Sequence, residues 1–219
     1  MNDLRQRLMA MDTPSLSDAL DKLKLSGAVT GLFALTVRKR ISGRVQTVRL
    51  GPAQEGLPKR HLGAAAIMAS ETGDVIVVQH GRDDVSGWGG LLSRGALSKG
   101  IEGVIIDGGF RDIDEAAELG LPIYGRAAVP VTARGRIAEH GWNEPITLAG
   151  VPVSPGDLVL ADGSGVVFVP RDRAEEVIAT AEDIMRREAL MAKDIEAGTP
   201  IGEVLGANYE DMLKNGERK

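Results

Sequence analysis

The chain contains no cysteine among its 219 residues. Disulfide bonds, thiolate metal sites and cysteine nucleophiles are therefore excluded. Aromatic residues make up only 3% of the sequence, so stacking platforms for single-stranded nucleic acid are scarce. No apolar run approaches the length of a membrane span, and residues 1–11 lack the apolar segment of a signal peptide. We expect a cytoplasmic protein with no membrane partner.

Basic residues are also in the minority, with 26 Lys and Arg against 31 Asp and Glu and a net charge of −5. Because nucleic-acid binding relies on a basic surface, we expect no nucleic-acid partner. The signatures of a serine elbow, a Walker A loop and a dinucleotide-binding glycine loop do not occur. The three histidines, His61, His80 and His140, lack a metal-binding spacing, and we expect structural roles for them.

Hydrophobic periodicity and glycine turns predict one α/β domain over residues 1–219, layered, with a mixed sheet and helical extensions at both ends. A βαβ unit is formed by buried strands at 74–79 and 104–107 and the helix between them, which ends at Gly100. Further strands are predicted at residues 44–50, 123–124, 129–134, 146–153, 157–161 and 166–169. Further helices are predicted at residues 3–11, 13–23 with Thr13 as N-cap, 63–70, 172–196 and 202–214.

Two neighbouring glycines, Gly89 and Gly90, precede the helix of the βαβ unit. Glycine lets the backbone approach a ligand closely, and the first N–H groups of a helix have no partner within it. A carboxylate or a phosphate could therefore bind here. The alternative is that the glycines only form the turn between strand and helix, which is a common use of glycine pairs.

An arginine and an aspartate, Arg111 and Asp112, follow the second buried strand and another glycine turn. A guanidinium can grip a carboxylate or the oxygen pair of a 2-oxo acid, and an aspartate is a hard ligand that suits Mg²⁺ or Mn²⁺. Asp112, Asp114 and Glu115 also fall in the first turn of a helix predicted to reach Leu119. There acidic residues stabilise the helix dipole, and Asp112 could be a plain N-cap, so both interpretations stay open.

A single acid, Glu188, interrupts the apolar stripe of the long helix near the C-terminus. A carboxylate on an apolar face is rarely buried unless it is paired or bound to metal. One interpretation is that this face meets another subunit and that Glu188 reaches into its site. The other interpretation is that Glu188 pairs with Arg186 or Arg187 or is exposed. This case is the more common one, because most glutamates in proteins are solvated.

The segment from Trp88 to Glu115 carries a more specific pattern: a glycine, twenty intervening residues, Arg-Asp, two residues and an acid. Gly90, Arg111, Asp112 and Glu115 fit this pattern without a gap. In it the chain closely resembles the RraA-like family, which contains 4-hydroxy-4-methyl-2-oxoglutarate aldolase and the regulator of ribonuclease activity A. The resemblance continues, more weakly, from residue 17 to the start of the long helix.

This resemblance implies a swivelling β/β/α fold of the phosphohistidine-domain type, assembled as a homotrimer or a dimer of trimers with sites at subunit boundaries. It also implies an aldolase that depends on a divalent cation, Mg²⁺ or Mn²⁺. Such an enzyme cleaves small 2-oxo acids to release pyruvate through a metal-stabilised enolate, often with oxaloacetate decarboxylase activity. The regulators share the fold and bind an RNA-processing enzyme, so a non-catalytic regulator is the alternative. An isomerase or dehydratase on the same scaffold is a third possibility.

Carried onto this chain, the resemblance assigns a role to each residue of the pattern. The carboxylate of pyruvate would bind backbone N–H groups of the segment Gly89, Gly90, Leu91 and Leu92. Arg111 would contact the keto oxygen and stabilise the enolate. Asp112 would ligate the metal, and Glu115 would act on it through water. Glu188 is the candidate for a glutamate that the aldolases take from the neighbouring subunit.

Overall fold

A computed structural model describes residues 2–57 and 61–206. Thirteen strands and seven α-helices occur in these ranges, together with a short 3-10 helix at Arg171–Arg173. The helices are α1 (Asn2–Met9), α2 (Thr13–Lys22), α3 (Ala64–Ala69), α4 (Gly90–Ser98), α5 (Ile113–Glu118), α6 (Ala174–Glu196) and α7 (Ile201–Val204). The strands are β1 (Ala28–Val29), β2 (Phe33–Ala34), β3 (Ile41–Pro52), β4 (Val75–Gln79), β5 (Gly103–Ile106), β6 (Gly109–Phe110), β7 (Ile123–Gly125), β8 (Ala127–Ala128), β9 (Ile137–Trp142), β10 (Ile146–Leu148), β11 (Val151–Val153), β12 (Leu158–Ala161) and β13 (Val166–Val169).

A nine-stranded mixed sheet is the centre of the fold. Its order is β1-β13-β12-β3-β4-β5-β7-β2, and β9 pairs with the second half of β3. The strands β3, β4, β5 and β7 run parallel, whereas the flanking pairs are antiparallel. The residues of β4 and β5 are almost all buried, as is typical of parallel strands covered on both faces. The predicted α/β class with a mixed sheet is therefore confirmed.

The terminal helices pack together against one face of the sheet. Leu16, Leu20, Val177 and Ile184 belong to the apolar cluster that joins α2 and α6 to β12 and β13. Asp12 is the N-cap of α2, because its side chain accepts a hydrogen bond from the N–H of Ser15 at 2.9 Å. The prediction that Thr13 is the N-cap was therefore wrong by one residue.

Two of the predicted strands take a different form. Residues 129–134 are a loop, because the N–H of Val129 and the carbonyl of Val131 bond to separate segments and Pro130 has no N–H to donate. Residues 146–153 form a hairpin, β10 and β11, which turns at Ala149 and Gly150 with positive φ at both.

The predicted terminal helices match in part. The long helix is present as α6. Within the described residues, the predicted helix at 202–214 is represented by the short helix α7, Ile201–Val204, and its residues from 207 onward lie outside the described range. Among the helices within residues 2–57 and 61–206, none is long and apolar enough to cross a membrane.

Candidate active site

Two loops meet at the end of the parallel strands, and they carry the residues of the glycine, arginine and acid pattern. One leads from β4 to α4 and the other from β5 to α5, and β4 and β5 are adjacent, with Val78 opposite Ile106. Backbone hydrogen bonds join the loops, from the N–H of Gly87 to the carbonyl of Gly109 (2.9 Å) and from the N–H of Arg111 to the carbonyl of Trp88 (3.1 Å). Residues distant in the sequence are therefore held side by side.

Asp112 caps a helix, but not the helix it precedes. It stands at the N-cap position of α5 in the left-handed conformation, with φ 61° and ψ 41°, and its side chain makes no capping bond there. Its Oδ2 instead accepts a hydrogen bond from the N–H of Gly90, the first residue of α4, at 2.8 Å. Of the two interpretations left open, the plain N-cap does not hold, because the carboxylate bonds to the glycine pair and not to the start of α5.

The glycine pair leaves space that the acids and the arginine occupy. A Cβ on Gly90 would overlap the carboxylate of Glu115, and a Cβ on Gly89 would lie 3.0 Å from Asp112 Oδ2 and 3.2 Å from Arg111 Nε. Gly89 itself is in extended backbone, so close packing and not its φ angle accounts for glycine there. The spacing of the pattern thus reflects direct contact between its members.

Charged groups of both signs surround the start of α4. Arg111 Nε lies 3.5 Å from Asp112 Oδ2, and Arg94 Nε donates a hydrogen bond to Glu115 Oε1 at 2.7 Å. The side chains of Arg111 and Asp112 are 43% and 39% exposed, so both are open to a ligand. The site therefore offers a guanidinium and carboxylate oxygens on one surface.

A cavity of about 410 Å³ opens above this surface. It is lined by all seven predicted site residues of this segment, which are Gly89, Gly90, Leu91, Leu92, Arg111, Asp112 and Glu115. The N–H of Gly90 is taken by Asp112, whereas no residue of the described ranges accepts a hydrogen bond from the N–H of Leu91 or Leu92. Two helix N–H groups thus stay available to an anion.

The carboxylates present suit a hard divalent cation. Mg²⁺ usually binds one or two protein carboxylates and keeps several waters. Asp112 and Glu115 line the cavity together, and Asp112 uses one oxygen for Gly90. No group of three or more possible ligands among His, Cys, Asp and Glu is found in the part of the chain that the structure describes. The donor set therefore fits a water-rich magnesium or manganese site better than a closed cage of ligands.

Glu188 is not part of this cavity within one chain. It lies half-buried on α6, where burial and the nearby carboxylates of Asp12 and Asp18 raise its pKa. Arg186, one of its suggested partners, donates a hydrogen bond to Asp183 instead. The prediction that Glu188 enters the site of a neighbouring subunit stays a prediction.

The histidines have the structural surroundings expected, with one exception. His80 is buried, with Nε2 2.8 Å from the carbonyl oxygen of Val85, and His140 Nε2 lies 2.9 Å from that of Pro52. His61, however, lines the cavity. Thr132, Ala133 and Arg134 also line the cavity. They were not predicted as site residues, because their loop was predicted as a strand.

Comparison with known proteins gives a consistent result. A family model described as Aldolase/RraA matches residues 13–168. Protein DlpA of Legionella pneumophila is 27% identical over 202 residues, which are 92% of this chain and 33% of DlpA, so the chain spans a third of that protein. A 4-hydroxy-4-methyl-2-oxoglutarate aldolase of Thermus thermophilus is 31% identical over 137 residues, 61% of this chain and 77% of the aldolase.

A solved structure resembles the whole fold. The crystal structure of Streptomyces coelicolor RraAS2, described as an unusual member of the RNase ES inhibitor RraA protein family, has a TM-score of 0.77 and 27% sequence identity. The match covers 87% of this chain and 96% of that one. Of these similar proteins, one is named as an aldolase and another as a member of a ribonuclease inhibitor family.

Proposed function

The chain belongs to the RraA-like (Aldolase/RraA) family, and on that premise we propose that it is a divalent-metal-dependent aldolase that cleaves small 2-oxo acids and releases pyruvate. One observation carries the proposal. Two unpaired helix N–H groups, the Arg111 guanidinium and the carboxylates of Asp112 and Glu115 line a single cavity. These are the groups needed to bind a 2-oxo carboxylate and to stabilise charge on its keto oxygen.

Each residue has a part in the proposed binding of a 2-oxo acid. The N–H groups of Leu91 and Leu92 bind the carboxylate, which also interacts favourably with the positive end of the α4 dipole. The Arg111 guanidinium donates a charged hydrogen bond to the keto oxygen. The hydrogen bond from Gly90 to Asp112 holds the acid at the same end of the helix.

The reaction is the cleavage of the bond between C3 and C4 of a 4-hydroxy-2-oxo acid. The C4 hydroxyl loses its proton and becomes a carbonyl, the bond electrons pass to C3, and the enolate of pyruvate takes up a proton at C3. Arg111 offsets the negative charge that develops on the keto oxygen, where a preorganised donor is worth about 3–4 kcal/mol. Asp112, and Glu115 through water, would hold the cation, which supplies Lewis-acid polarisation of that oxygen when bound.

Deuterium exchange provides a test that requires no knowledge of the natural substrate. In D₂O with Mg²⁺ or Mn²⁺, the chain should exchange the methyl protons of pyruvate, measured by proton NMR, and should convert oxaloacetate to pyruvate. EDTA and Arg111→Ala should each abolish both activities. The matched control, Arg126→Ala, removes an exposed guanidinium that does not line the cavity and should retain them. Activity that survives both EDTA and Arg111→Ala rejects the proposal.

Assembly is part of the proposal, because the role suggested for Glu188 requires a neighbouring chain. Leu91 at the cavity and Met68 on α3 are 80% and 75% exposed, which is unusual for large apolar side chains unless a second chain covers them. We therefore propose a homotrimer or a dimer of trimers. Light scattering should give a mass near three or six times 23.2 kDa. The cytoplasmic location stays a prediction.

The likeness to RraAS2 favours a second candidate function, a regulator that binds an RNA-processing enzyme. The net charge of −5 suits contact with a basic partner. Inhibition of RNA cleavage by a ribonuclease of the RNase ES type would be measured with the wild-type chain and with Arg111→Ala. Salt-sensitive inhibition without any exchange or decarboxylation would favour the regulator over the aldolase.

A further inference from the structure

A buried histidine, His80, stands directly after β4, where the chain enters the loop that leads to α4. It is 7% exposed and does not line the cavity. Its Nε2 lies 2.8 Å from the carbonyl oxygen of Val85. Because a carbonyl can only accept a hydrogen bond, Nε2 is assigned the proton and donates it. The imidazole therefore ties residue 85 back to the end of β4, just before the glycine pair of the site.

The imidazole is also packed between the two loops that form the site. A Cβ on Gly108, in the loop from β5 to α5, would lie 2.6 Å from His80 Cδ2. A Cβ on Gly87, in the loop from β4 to α4, would lie 3.0 Å from the same atom. Neither glycine has positive φ, so close packing, in which the imidazole takes part, accounts for glycine at both positions. The approach of the two loops is therefore set partly by this ring.

The polar contacts of His80 show that its donor at Nε2 matters. Its backbone is fixed, because the carboxylate of Asp107 accepts hydrogen bonds from the N–H of His80, of Gly81 at 3.0 Å and of Ala149 at 3.1 Å. The other ring nitrogen, Nδ1, is buried, and no polar atom of residues 2–57 and 61–206 bonds to it. A buried acceptor without a partner costs stability, and an apolar side chain would avoid that cost. A local cost of this kind is typical of residues that serve a site.

We infer that His80 is a positioning residue for the proposed reaction, because its imidazole fixes the separation between the N-terminus of α4 and Arg111. This inference rests on the proposed function, in which the N–H groups of Leu91 and Leu92 bind the substrate carboxylate and Arg111 meets the keto oxygen. Each of these groups is held by its own loop, and only their separation depends on the imidazole. A misplacement of about 1 Å between such groups can lower a rate about 100-fold.

Two variants of similar length test this role in the deuterium exchange of pyruvate with saturating Mg²⁺. The amide nitrogen of His80→Gln can replace Nε2 and donate to Val85, whereas His80→Met fills the space without a donor. His80→Met should lower kcat about 10- to 100-fold and change the KM for pyruvate by less than about threefold, because the groups that bind the carboxylate stay together on α4. His80→Gln should retain at least about a third of the wild-type kcat.

Amide hydrogen exchange, followed by NMR, measures the same positioning without a substrate. The N–H groups of Gly87, Gly90 and Arg111 form the hydrogen bonds between the two loops. In His80→Met they should exchange at least about tenfold faster than in the wild-type chain or in His80→Gln, whereas the amides of β4 and β5 should keep their protection. If His80→Met does not fold, His80→Asn replaces it, because its shorter amide cannot reach Val85.

His140→Met is the matched control. His140 Nε2 also bonds to a carbonyl, that of Pro52 at 2.9 Å, and its ring also packs on a glycine, Gly51, but it does not line the cavity. This variant should keep the wild-type kcat and the wild-type amide exchange of the site loops.

Unchanged amide exchange of the loops in His80→Met, an equal loss of kcat in His80→Met and His80→Gln, or a rise in KM without a fall in kcat would overturn the positioning role. Failure of the wild-type chain to exchange pyruvate has a different meaning, because it rejects the aldolase. The amide exchange of the loops then still decides whether His80 holds them in position.

Discussion

The backbone N–H of Gly90 donates a hydrogen bond to the carboxylate of Asp112, which is twenty-two residues further along the chain. This bond connects the helix N-terminus that would bind a substrate carboxylate with the acid that would bind a cation. Because one oxygen of Asp112 is used by the backbone, the orientation of the carboxylate is set before any ligand arrives. Preorganisation of this kind is what a site for charge stabilisation requires.

Gly90→Ala should displace Glu115 and lower activity by at least tenfold while leaving the chain folded. A Cβ at this position would overlap the Glu115 carboxylate, whose side chain is partly exposed and can swing away into solvent. We expect weaker cation binding, in the range of 10- to 100-fold for loss of a group that orients metal ligands. Titration with Mn²⁺ and the oxaloacetate assay measure the two effects.

Gly95→Ala is the control for that substitution, because Gly95 lies in the same helix with its nearest neighbour to a new Cβ 3.9 Å away. Alanine in a helix interior is more favourable than glycine by about 0.5–1 kcal/mol, so this variant should be slightly more stable and fully active. If both alanine variants have wild-type activity, the close contact between Gly90 and Glu115 is not required for activity.

Asp112→Asn should distinguish the structural role of this side chain from the role of its negative charge. Asparagine tolerates the left-handed conformation, and its amide oxygen can still accept the hydrogen bond from Gly90. The melting temperature should therefore change little, whereas Mn²⁺ affinity and pyruvate exchange should each fall at least 100-fold. Asp112→Ala should lose about 1–2 kcal/mol of stability in addition, because it removes a capping bond. Undiminished Mn²⁺ binding by Asp112→Asn would remove Asp112 from the metal site.

The sequence predicts the parts of the site that depend on local secondary structure. Buried strands, glycine turns and a short helix are visible between Val75 and Asp112 because each has its own pattern of apolar residues and glycines. Adjacent parallel strands bring the loops that follow them to the same edge of the sheet. The meeting of Gly90 with Arg111 and Asp112 is therefore a consequence of the βαβ unit.

Contacts between distant segments could not be predicted in this way. The apolar residues Val129, Val131 and Ala133 occupy every second position of 129–134 and satisfy a strand pattern. The backbone bonds of this segment go to Phe110 and Ser86, which local sequence does not specify. The strand β9 was missed because it contains Glu139, His140 and Gly141, and it forms by pairing with β3 on both sides of a bulge between Arg49 and Leu50. Arg134 is the last residue of the first of these segments and was therefore not recognised as a cavity residue.

A buried ion pair between Arg44 of β3 and Asp74, the residue before β4, should matter more for stability than an exposed pair at the start of α6. Both oxygens of Asp74, which is 3% exposed, accept hydrogen bonds from the Arg44 guanidinium at 2.9 Å. Arg44→Met would leave a buried carboxylate without its cation, at a cost of about 3 kcal/mol, which corresponds to about 6–12 °C in melting temperature. Arg173→Met, which breaks an exposed pair with Glu176, should cost less than about 0.5 kcal/mol. Calorimetry of the two variants would show whether burial decides the difference.

The acids where α2 meets α6 should make stability depend on pH in a sense opposite to that of the usual ion-paired carboxylate. Burial and neighbouring carboxylates raise the pKa of both Asp18 and Glu188. The folded chain therefore holds these protons more tightly than the unfolded chain, and their contribution becomes less favourable as pH rises through the unfolded and then the folded pKa. Asp18→Asn should raise stability at pH 7 by a few tenths of a kcal/mol, and this gain should disappear near pH 4.

Glu182 is a control for this prediction, because its pKa is shifted in the opposite direction to that of Asp18. Its hydrogen bonds from Arg7, the largest influence on it, lower its pKa, so its contribution is present above the unfolded pKa and lost as pH falls through the folded pKa. Glu182→Gln should therefore destabilise the chain at pH 7 and have little effect in acid. Thermal unfolding of the two variants between pH 4 and pH 8 should give shifts of opposite sign at pH 7 that converge toward zero at pH 4. Shifts of the same sign at pH 7 would show that burial and neighbouring carboxylates do not destabilise ionised Asp18, and that a cation or a partner chain already balances its charge.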